Sequence, residues 1–402
     1  MTTTIRIALK WGSIVWMIAS LTGPAFSQDT AKEVATVESQ IASMLQEFKA
    51  AQTEFLSALR SASGIEEQKW LEAQNPTREF ARRFMEIADQ NRKNAASAQA
   101  LVWVASHVNR FDSSEVATWT EAVDALTEHH IRRDALEPLL LLLADSWSPK
   151  GEKLLRQAIA ESPHRKVQGK ARLGLARFLV RKSQLAEILQ RTDNENDAAQ
   201  LLDFIGRDWA QELRTFKPGQ ATSEAEGLLE EISENFADVA NYPTTLGRTA
   251  EGELYELKHL AVGKVAPDIE GEDVDGKAMK LSDFRGKVAV VVFWGFWCGP
   301  CRAMLPQERA LVKTYENQPF VLLGVNSDQD RERTQGLLEK AQITWRCWWD
   351  GGGLYGPIAT QWNVRAWPEI YVIDQQGLIR FKGVRGRKLD DAVESLLTPR
   401  LP

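Results

Sequence analysis

The sequence predicts an α/β domain in the last third of the chain, preceded by an all-α, helical repeat-like domain. Between residues 31 and 240, apolar residues recur every three or four positions, which is typical of amphipathic helices. After residue 260, two continuous apolar runs at 288–294 and 320–325 alternate with helical segments, as expected of parallel strands buried on both faces. Two shorter strands at 370–373 and 378–382 flank a Gln-Gly turn. Parallel crossovers beside an antiparallel edge hairpin predict an α/β sandwich.

The segment 1–27 has the pattern of a signal peptide. Arg6 and Lys10 precede an apolar run at 11–21, and the small residues at 23–27 suit cleavage before Gln28. The apolar run is short for a stable membrane span, and no cysteine follows it for lipid attachment. We expect a periplasmic or secreted protein, associated with the membrane only if this segment stays uncleaved as an anchor.

Residues 28–254 are predicted to form the helical domain. The stretch 31–60 has an apolar stripe of near-heptad spacing, which fits a short coiled coil or, as we favour, one long helix packed on its neighbours. Helix starts near Pro76, Asp112 and Pro149 are spaced by about 36 residues, as in stacked helical hairpins. The apolar run at 139–143 indicates a buried helix, since it is far too short for a membrane span.

Breaks in the helical pattern place the domain boundary. Polar patches at 191–197 and 218–226 are predicted to separate helices, and the stretch 241–245 precedes the second domain. We place the boundary near residue 255, so that the α/β domain spans 255–402. Its remaining predicted elements are a hairpin turn at Asp275-Gly276, helices at 331–341, 356–362 and 389–397, and a short strand at 343–348.

A pair of cysteines follows the first buried strand. Cys298 and Cys301 bracket Gly299 and Pro300 at the predicted start of a helix. A thiol at a helix N-terminus faces unpaired N–H groups and the positive end of the helix dipole, which stabilise its thiolate. Cys298 is therefore the expected nucleophile, and Cys301, one turn later, is placed to resolve a mixed disulfide. The pattern predicts a dithiol/disulfide exchange site.

Two other interpretations of the cysteine pair are weaker. A zinc site needs four ligands, but only Cys347 remains as a further cysteine and every histidine precedes the motif. An inert structural disulfide is the other alternative, and we favour redox function over it. No metal or cofactor is expected.

The motif resembles that of the thioredoxin superfamily, in which Trp-Cys-Gly-Pro-Cys is the active-site sequence. Pro306 matches the helix-kinking proline, and the segments 262–268 and 281–287 resemble the entry of the TlpA/ResA-like branch. The resemblance covers residues 260–400 and implies a thioredoxin fold and thiol-disulfide oxidoreductase activity. It also implies that Pro368 is the cis-proline beside the nucleophilic sulfur, and that Trp367 lines the substrate groove. Trp297, Gly299 and Pro300 are further candidates for substrate binding, although Trp297 fits core packing as well.

The sequence departs from this family at the buried acid that serves the resolving cysteine. The two positions where relatives carry it are Val292 and Met304 here. Glu369, directly after Pro368, is a candidate substitute, with a solvated residue at the strand entry as the alternative. Cys347 lies among tryptophans, which favours a buried structural cysteine over a redox relay.

Composition limits the class of partner. The 402-residue chain has 44% hydrophobic and 26% charged residues and a formal net charge of −6, which gives no indication of a nucleic-acid partner. We expect protein disulfides as substrates, and a membrane or soluble thiol as electron donor. The favoured function is an exported thiol-disulfide oxidoreductase working in the reducing direction. The alternative is a helical-repeat scaffold protein with a secondary redox domain; a peroxidase is disfavoured because no Pro-x-x-x-Thr-x-x-Cys stretch is present.

Overall fold

The structure is a computed structural model that describes residues 28–112, 114–191 and 205–398. The predicted signal peptide at 1–27 and most of the polar patch at 191–197 lie outside the described residues. The described chain divides into two compact units, of which the first ends at Leu136 and the second begins at Glu137. None of the described helices is long and apolar enough to cross a membrane.

The first unit is helical. Its long N-terminal helix buries the stripe Val37, Ile41, Met44 and Phe48. The ring of Phe48 packs against Trp103 at a centroid distance of 4.7 Å, so this helix packs on its neighbours, as the sequence favoured. The helices are Gln28–Ser61 (α1), Ile65–Glu72 (α2), Thr77–Gln90 (α3), Ser97–His107 (α4) and Val116–His129 (α5).

The second unit begins with more helices. They are Glu137–Leu140 (α6), Pro149–Glu161 (α7), Arg165–Arg191 (α8), Arg207–Thr215 (α9), Pro218–Asn235 (α10) and Leu246–His259 (α11). Ser148 caps α7 by accepting a hydrogen bond from the Lys150 N–H, and Pro149 occupies the first turn, as predicted. The starts of α3, α5 and α7 lie close to the predicted ones, while a repeat architecture stays a prediction.

The polar patch at 218–226 was wrongly predicted to separate helices. It lies inside α10, because Pro218 starts that helix and Ala221, Ala225 and Leu229 form its buried stripe. The exposed positions between these residues are polar, which gave the stretch the composition of a loop.

The predicted break at 241–245 is a small hairpin. Ala240–Asn241 (β1) pairs with Thr244–Thr245 (β2), and the Tyr242–Pro243 peptide bond between them is cis. Thr245 then caps α11 by accepting from the Arg248 N–H. The predicted boundary near 255 falls inside α11, and Leu260, directly after it, joins the core of the α/β part. Separate folding of residues 28–254 and 255–402 stays a prediction.

The rest of the second unit has the thioredoxin fold that the sequence predicted. Its strands are Glu270–Glu272 (β3), Ala278–Lys280 (β4), Val288–Trp294 (β5), Phe320–Asn326 (β6), Cys347–Trp349 (β7), Glu369–Ile373 (β8) and Ile379–Lys382 (β9). The main sheet has the order β7-β6-β5-β8-β9, with β5, β6 and β7 parallel and β8 and β9 antiparallel. Every residue of β5 is buried, as its continuous apolar run indicated.

Helices cover both faces of this sheet. They are Gly299–Thr314 (α12), Arg331–Lys340 (α13), Pro357–Gln361 (α14) and Arg387–Leu397 (α15). Leu305 of α12 and Leu389 of α15 pack on one face with Val290 and Val292, whereas Ile358 of α14 packs on the other. The strand predicted at 343–348 is shorter and later than expected, because only Cys347–Trp349 pairs with β6.

Candidate active site

Cys298 and Cys301 lie at the N-terminus of α12, four residues after β5 ends at Trp294. They are disulfide-bonded to each other in this structure. Cys298 is the N-cap residue, and its Sγ accepts a hydrogen bond from the backbone N–H of Cys301 at 3.1 Å. In the reduced protein the same N–H and the helix dipole stabilise a thiolate at Cys298.

The two sulfurs differ in their access to a cleft. Cys298 is 5% exposed and Cys301 2%, so neither side chain is open to bulk solvent. Cys298, Gly299 and Pro300 line a cleft of about 990 Å³, whereas Cys301 packs into the core beside Leu305. A substrate sulfur that enters the cleft meets Cys298 first.

The turn that leads from β5 to the cysteines is held by the end of β6. The backbone N–H of Phe296 donates to Oδ2 of Asp328 at 2.9 Å, and Asn326 donates to the same oxygen at 2.8 Å. The N–H of Ser327 donates to the carbonyl of Trp294 at 2.9 Å. These bonds fix the loop that carries Trp297 and Cys298, because parallel strands bring their carboxyl ends to the same edge of the sheet.

Trp297 and Trp367 meet beside Cys298. Their ring centroids lie 5.6 Å apart, and both rings line the cleft. The indole N–H of Trp367 donates to Oγ of Ser327 at 3.3 Å. The Trp367–Pro368 peptide bond is cis, as the family resemblance implies. Pro368 is buried, and its neighbour Trp367 lines the cleft.

Glu369 lies on the opposite face of the sheet from the two cysteines. It pairs with Phe293 across β5 and β8, and adjacent paired residues of antiparallel strands point to the same face. That face carries Phe293 and Tyr371, whereas the cysteines pack with Ile370 on the other. Burial raises the pKa of Glu369, so it is not a fully solvated residue. Its role as an acid stays a prediction.

Glu308 is a buried acid that sequence reasoning missed. Together with Cys301, Leu305 and Leu311 it forms the buried stripe of α12. Burial raises the pKa of Glu308 to about 7, against the opposing effect of the neighbouring Arg309. The signal was available in the sequence, because a residue seven positions after Cys301 on a helix lies on the same face.

Cys347 is buried and free. Burial raises the pKa of its thiol to about 12, so the neutral thiol dominates near pH 7. It lies at the start of β7, with Gly324 of β6 as its paired residue. This environment favours the interpretation of Cys347 as a structural cysteine over a redox relay.

The cleft has a second wall that the sequence did not indicate. The hairpin β1–β2 and the helix α11 contribute Tyr242, Pro243, Arg248 and Tyr255 to the lining that also includes Trp297. The sequence predicted a break at 241–245 and a domain boundary near 255, because no local pattern shows that a hairpin returns to a distant site.

Comparisons with known proteins find relatives of the C-terminal third of the chain. Residues 262–382 match the AhpC/TSA family. The thiol-disulfide oxidoreductase ResA of Geobacillus kaustophilus is 31% identical over 125 residues, which are 31% of this chain and 70% of that protein. ResA of Bacillus thuringiensis is 24% identical over 38% of this chain and 86% of its own. The thioredoxin domain of a thiol-disulfide oxidoreductase from Bacteroides vulgatus aligns with 34% of this chain and 99% of its own, at 28% identity and a TM-score of 0.33.

Proposed function

Since this chain belongs, through its C-terminal third, to the ResA-like thiol-disulfide oxidoreductases, we propose that it reduces protein disulfides through the Cys298-Gly299-Pro300-Cys301 dithiol outside the cytoplasm. The observation that carries the proposal is the position of Cys298, which caps α12 and lines a cleft large enough for a peptide segment. The proposed substrate contacts line the same cleft and are Trp297, Gly299, Pro300 and Trp367. Pro368 directly follows Trp367 in the sequence.

The exchange proceeds in two displacements. The thiolate of Cys298 attacks one sulfur of the substrate disulfide, so that a mixed disulfide forms and the other substrate sulfur leaves as a thiolate. The thiolate of Cys301 then attacks Sγ of Cys298, closes the Cys298–Cys301 disulfide and releases the second substrate sulfur. Two electrons pass from the protein dithiol to the substrate, and the released thiolates take up two protons. A membrane or soluble thiol donor regenerates the dithiol.

The reducing direction is part of the proposal, and the reduction potential tests it. Strongly oxidising dithiols owe their high potential to a heavily stabilised reduced form. For a protein that reduces disulfides we expect a reduction potential of about −200 mV or lower.

The Cys301 thiol has to lose its proton before the second displacement. Glu369 is the acid that the sequence suggested, but its side chain lies across the sheet from Cys301. Glu308 shares the buried stripe of α12 with Cys301, and its pKa of about 7 suits proton exchange near neutral pH. Seven positions separate the two residues by about 10 Å along the helix axis, so we propose that Glu308 accepts the proton through water and not by direct contact.

Export is supported by the pattern of Arg6, Lys10 and the apolar run before Gln28. An oxidising compartment also supplies disulfides as substrates. Fractionation of cells that produce the full chain tests this point: a processed protein starting near Gln28 outside the cytoplasm is expected, and an unprocessed cytoplasmic protein would contradict it.

An insulin-reduction assay tests the activity. With dithiothreitol as donor, the protein should shorten the lag before insulin precipitates, and Cys298→Ser should abolish this acceleration. If the wild-type protein gives no acceleration, the oxidoreductase proposal is wrong and the helical-repeat scaffold becomes the better interpretation.

A further inference from the structure

We propose that the hairpin β1–β2 and the helix α11 form the second wall of the substrate groove. We further infer that this groove binds an extended, cysteine-containing polypeptide with a large apolar side chain next to its cysteine. This inference rests on the proposed function, because the substrate sulfur has to reach Cys298. It assigns a role in substrate selection to Tyr242, which lies more than fifty residues before the active-site cysteines in the sequence.

The groove has two walls of different origin. One wall belongs to the thioredoxin fold and carries Trp297, Tyr355 and Trp367, and the other carries Tyr242 and Tyr255. Cys298 lines the same space of about 990 Å³. A sulfur that reacts with Cys298 through this space therefore enters a groove that both groups of residues line.

Large apolar side chains are exposed along this groove. Tyr242 is 96% exposed, Tyr355 73% and Trp297 49%. Aromatic rings bury large areas on binding and form favourable pairs with other aromatic or apolar side chains. Exposed apolar side chains clustered around a reactive group indicate a ligand-binding surface. The expected neighbour of the substrate cysteine is therefore aromatic or aliphatic.

The second wall is fixed to the thioredoxin fold by polar contacts. Glu253 of α11 accepts hydrogen bonds from Arg365 Nη1 and from Arg177 Nη2, each at 2.6 Å. Glu256 accepts from Asn363 Nδ2 at 2.7 Å. A wall held in place before the substrate arrives lowers the ordering cost of binding.

The shape of the groove favours an extended segment over the surface of a folded protein. Cys298 is 5% exposed, whereas Tyr242 and Tyr355, which line the same groove, are 96% and 73% exposed. A flat protein surface would meet these rings before its disulfide reached the sulfur. On the second wall, the guanidinium of Arg248 lies 3.7 Å from the carboxylate of Glu251 on the same helix, so these two opposite charges are paired.

A pair of peptides tests the inference. Each is an extended peptide with one cysteine in a mixed disulfide with thionitrobenzoate, and the residue before the cysteine is Trp in one and Gly in the other. Attack by Cys298 on the peptide sulfur releases the coloured thionitrobenzoate anion, and Cys301 then releases the peptide thiol. We expect the reduced wild-type protein to react at least about fivefold faster with the Trp peptide, measured as the second-order rate constant of thionitrobenzoate release in a single turnover.

Variants of Tyr242 distinguish the effect of the second wall on substrate preference from the thiol chemistry at Cys298. Tyr242→Ala should reduce the Trp-over-Gly preference to below about twofold, and Tyr242→Phe should retain it. Trp70→Ala is the matched control, because Trp70 is an exposed aromatic residue of α2 that lies outside the groove. An unchanged preference in Tyr242→Ala, in a protein that reacts with both peptides, would overturn this inference alone. Failure of the wild-type protein with both peptides and with the small disulfide dithiobis-nitrobenzoate would overturn the proposed function as well.

Discussion

The guanidinium of Arg365, three residues before Pro368, donates to the carboxylate of Glu253 on α11 at 2.6 Å. Arg177 of α8 donates to the same oxygen from the other side, at 2.6 Å. Glu253 is buried, so both bonds lie in a partly desolvated environment. One carboxylate thus joins the helices of the second unit to the loop that precedes the active-site proline.

We expect Glu253→Gln to lower the free energy of unfolding by about 2 kcal/mol, because it removes the charge that pairs two arginines. The matched control is Glu230→Gln. Glu230 of α10 is exposed and pairs with Lys258 of α11 at 2.8 Å, so its loss should cost less than about 0.5 kcal/mol. Urea unfolding of both variants gives the comparison. Equal effects of the two substitutions would show that the buried contact is not a special anchor.

The backbone of α11 at Gly252 and the side chain of Asn363 approach closely, which supports the same anchor between α11 and the loop before Pro368. A Cβ placed on Gly252 of α11 would lie 2.6 Å from Oδ1 of Asn363, whose amide donates to Glu256. Gly227, inside α10, has open space around the same position. Gly227→Ala should stabilise the protein by about 0.5–1 kcal/mol, since alanine is the better helix former. Gly252→Ala should lack this gain and be less stable than Gly227→Ala by about 1–2 kcal/mol. Thermal unfolding of both variants tests this order, and a stabilising Gly252→Ala would contradict the contact.

The sequence predicted those parts of the fold in which local pattern and tertiary position agree. The continuous apolar run at β5 indicated a buried strand, and the Ser148-Pro149 pair indicated the start of a helix. The structure contains both elements at these positions. The prediction for 218–226 was wrong because polar residues lie between the buried positions of α10, so the stretch has the composition of a loop. The hairpin at 240–245 was located as a break, but its place in the lining of the cleft with Cys298 depends on contacts between residues far apart in the chain.

Glu308→Gln should change the dependence of stability on pH. Burial raises the pKa of Glu308 to about 7 in the folded protein, above its value of about 4.5 in the unfolded chain. The folded state therefore binds more protons between these values, and the stability contributed by the protonated carboxyl is lost as pH rises through 7. Relative to Glu308→Gln, wild-type stability should fall by about 3 kcal/mol between pH 4.5 and pH 8.

The control for this pH dependence is Glu316→Gln, which alters an exposed residue just after the same helix. Its stability should follow the wild-type profile, as measured by urea unfolding at a series of pH values. A flat difference between wild type and Glu308→Gln over this range would show that Glu308 ionises normally. If Glu308 also accepts the Cys301 proton, the single-turnover release of substrate should slow in Glu308→Gln while formation of the mixed disulfide is unchanged.

Alkylation should distinguish the three thiols of the reduced protein. Cys298 lines the cleft and has a stabilised thiolate, whereas burial raises the pKa of Cys347 to about 12. Limiting iodoacetamide at pH 7 should therefore label Cys298 first, and Cys347 only after unfolding. Peptide mapping by mass spectrometry gives the order, and early labelling of Cys301 or Cys347 would reverse the proposed roles.

The site shows the same limit of sequence reasoning as the fold. Cys298 and Cys301 were identified because a dithiol at a helix start has a recognisable local pattern. Glu369 was chosen for its nearness to Pro368 in sequence, but strand pairing places it beside Phe293, across the sheet from the cysteines. To identify Glu308 from the sequence, the helical face that carries Cys301 has to be followed for two further turns, beyond Pro306.

Trapping of substrate by Cys301→Ser tests the central claim most directly. Without the second thiol the mixed disulfide at Cys298 cannot be resolved, so it should accumulate when the variant is incubated with a peptide disulfide. Mass mapping should find close to one peptide per protein, attached at Cys298, and none in Cys298→Ser. Adducts absent from Cys298, or present equally at Cys347, would contradict the account of this protein as an oxidoreductase that works through Cys298.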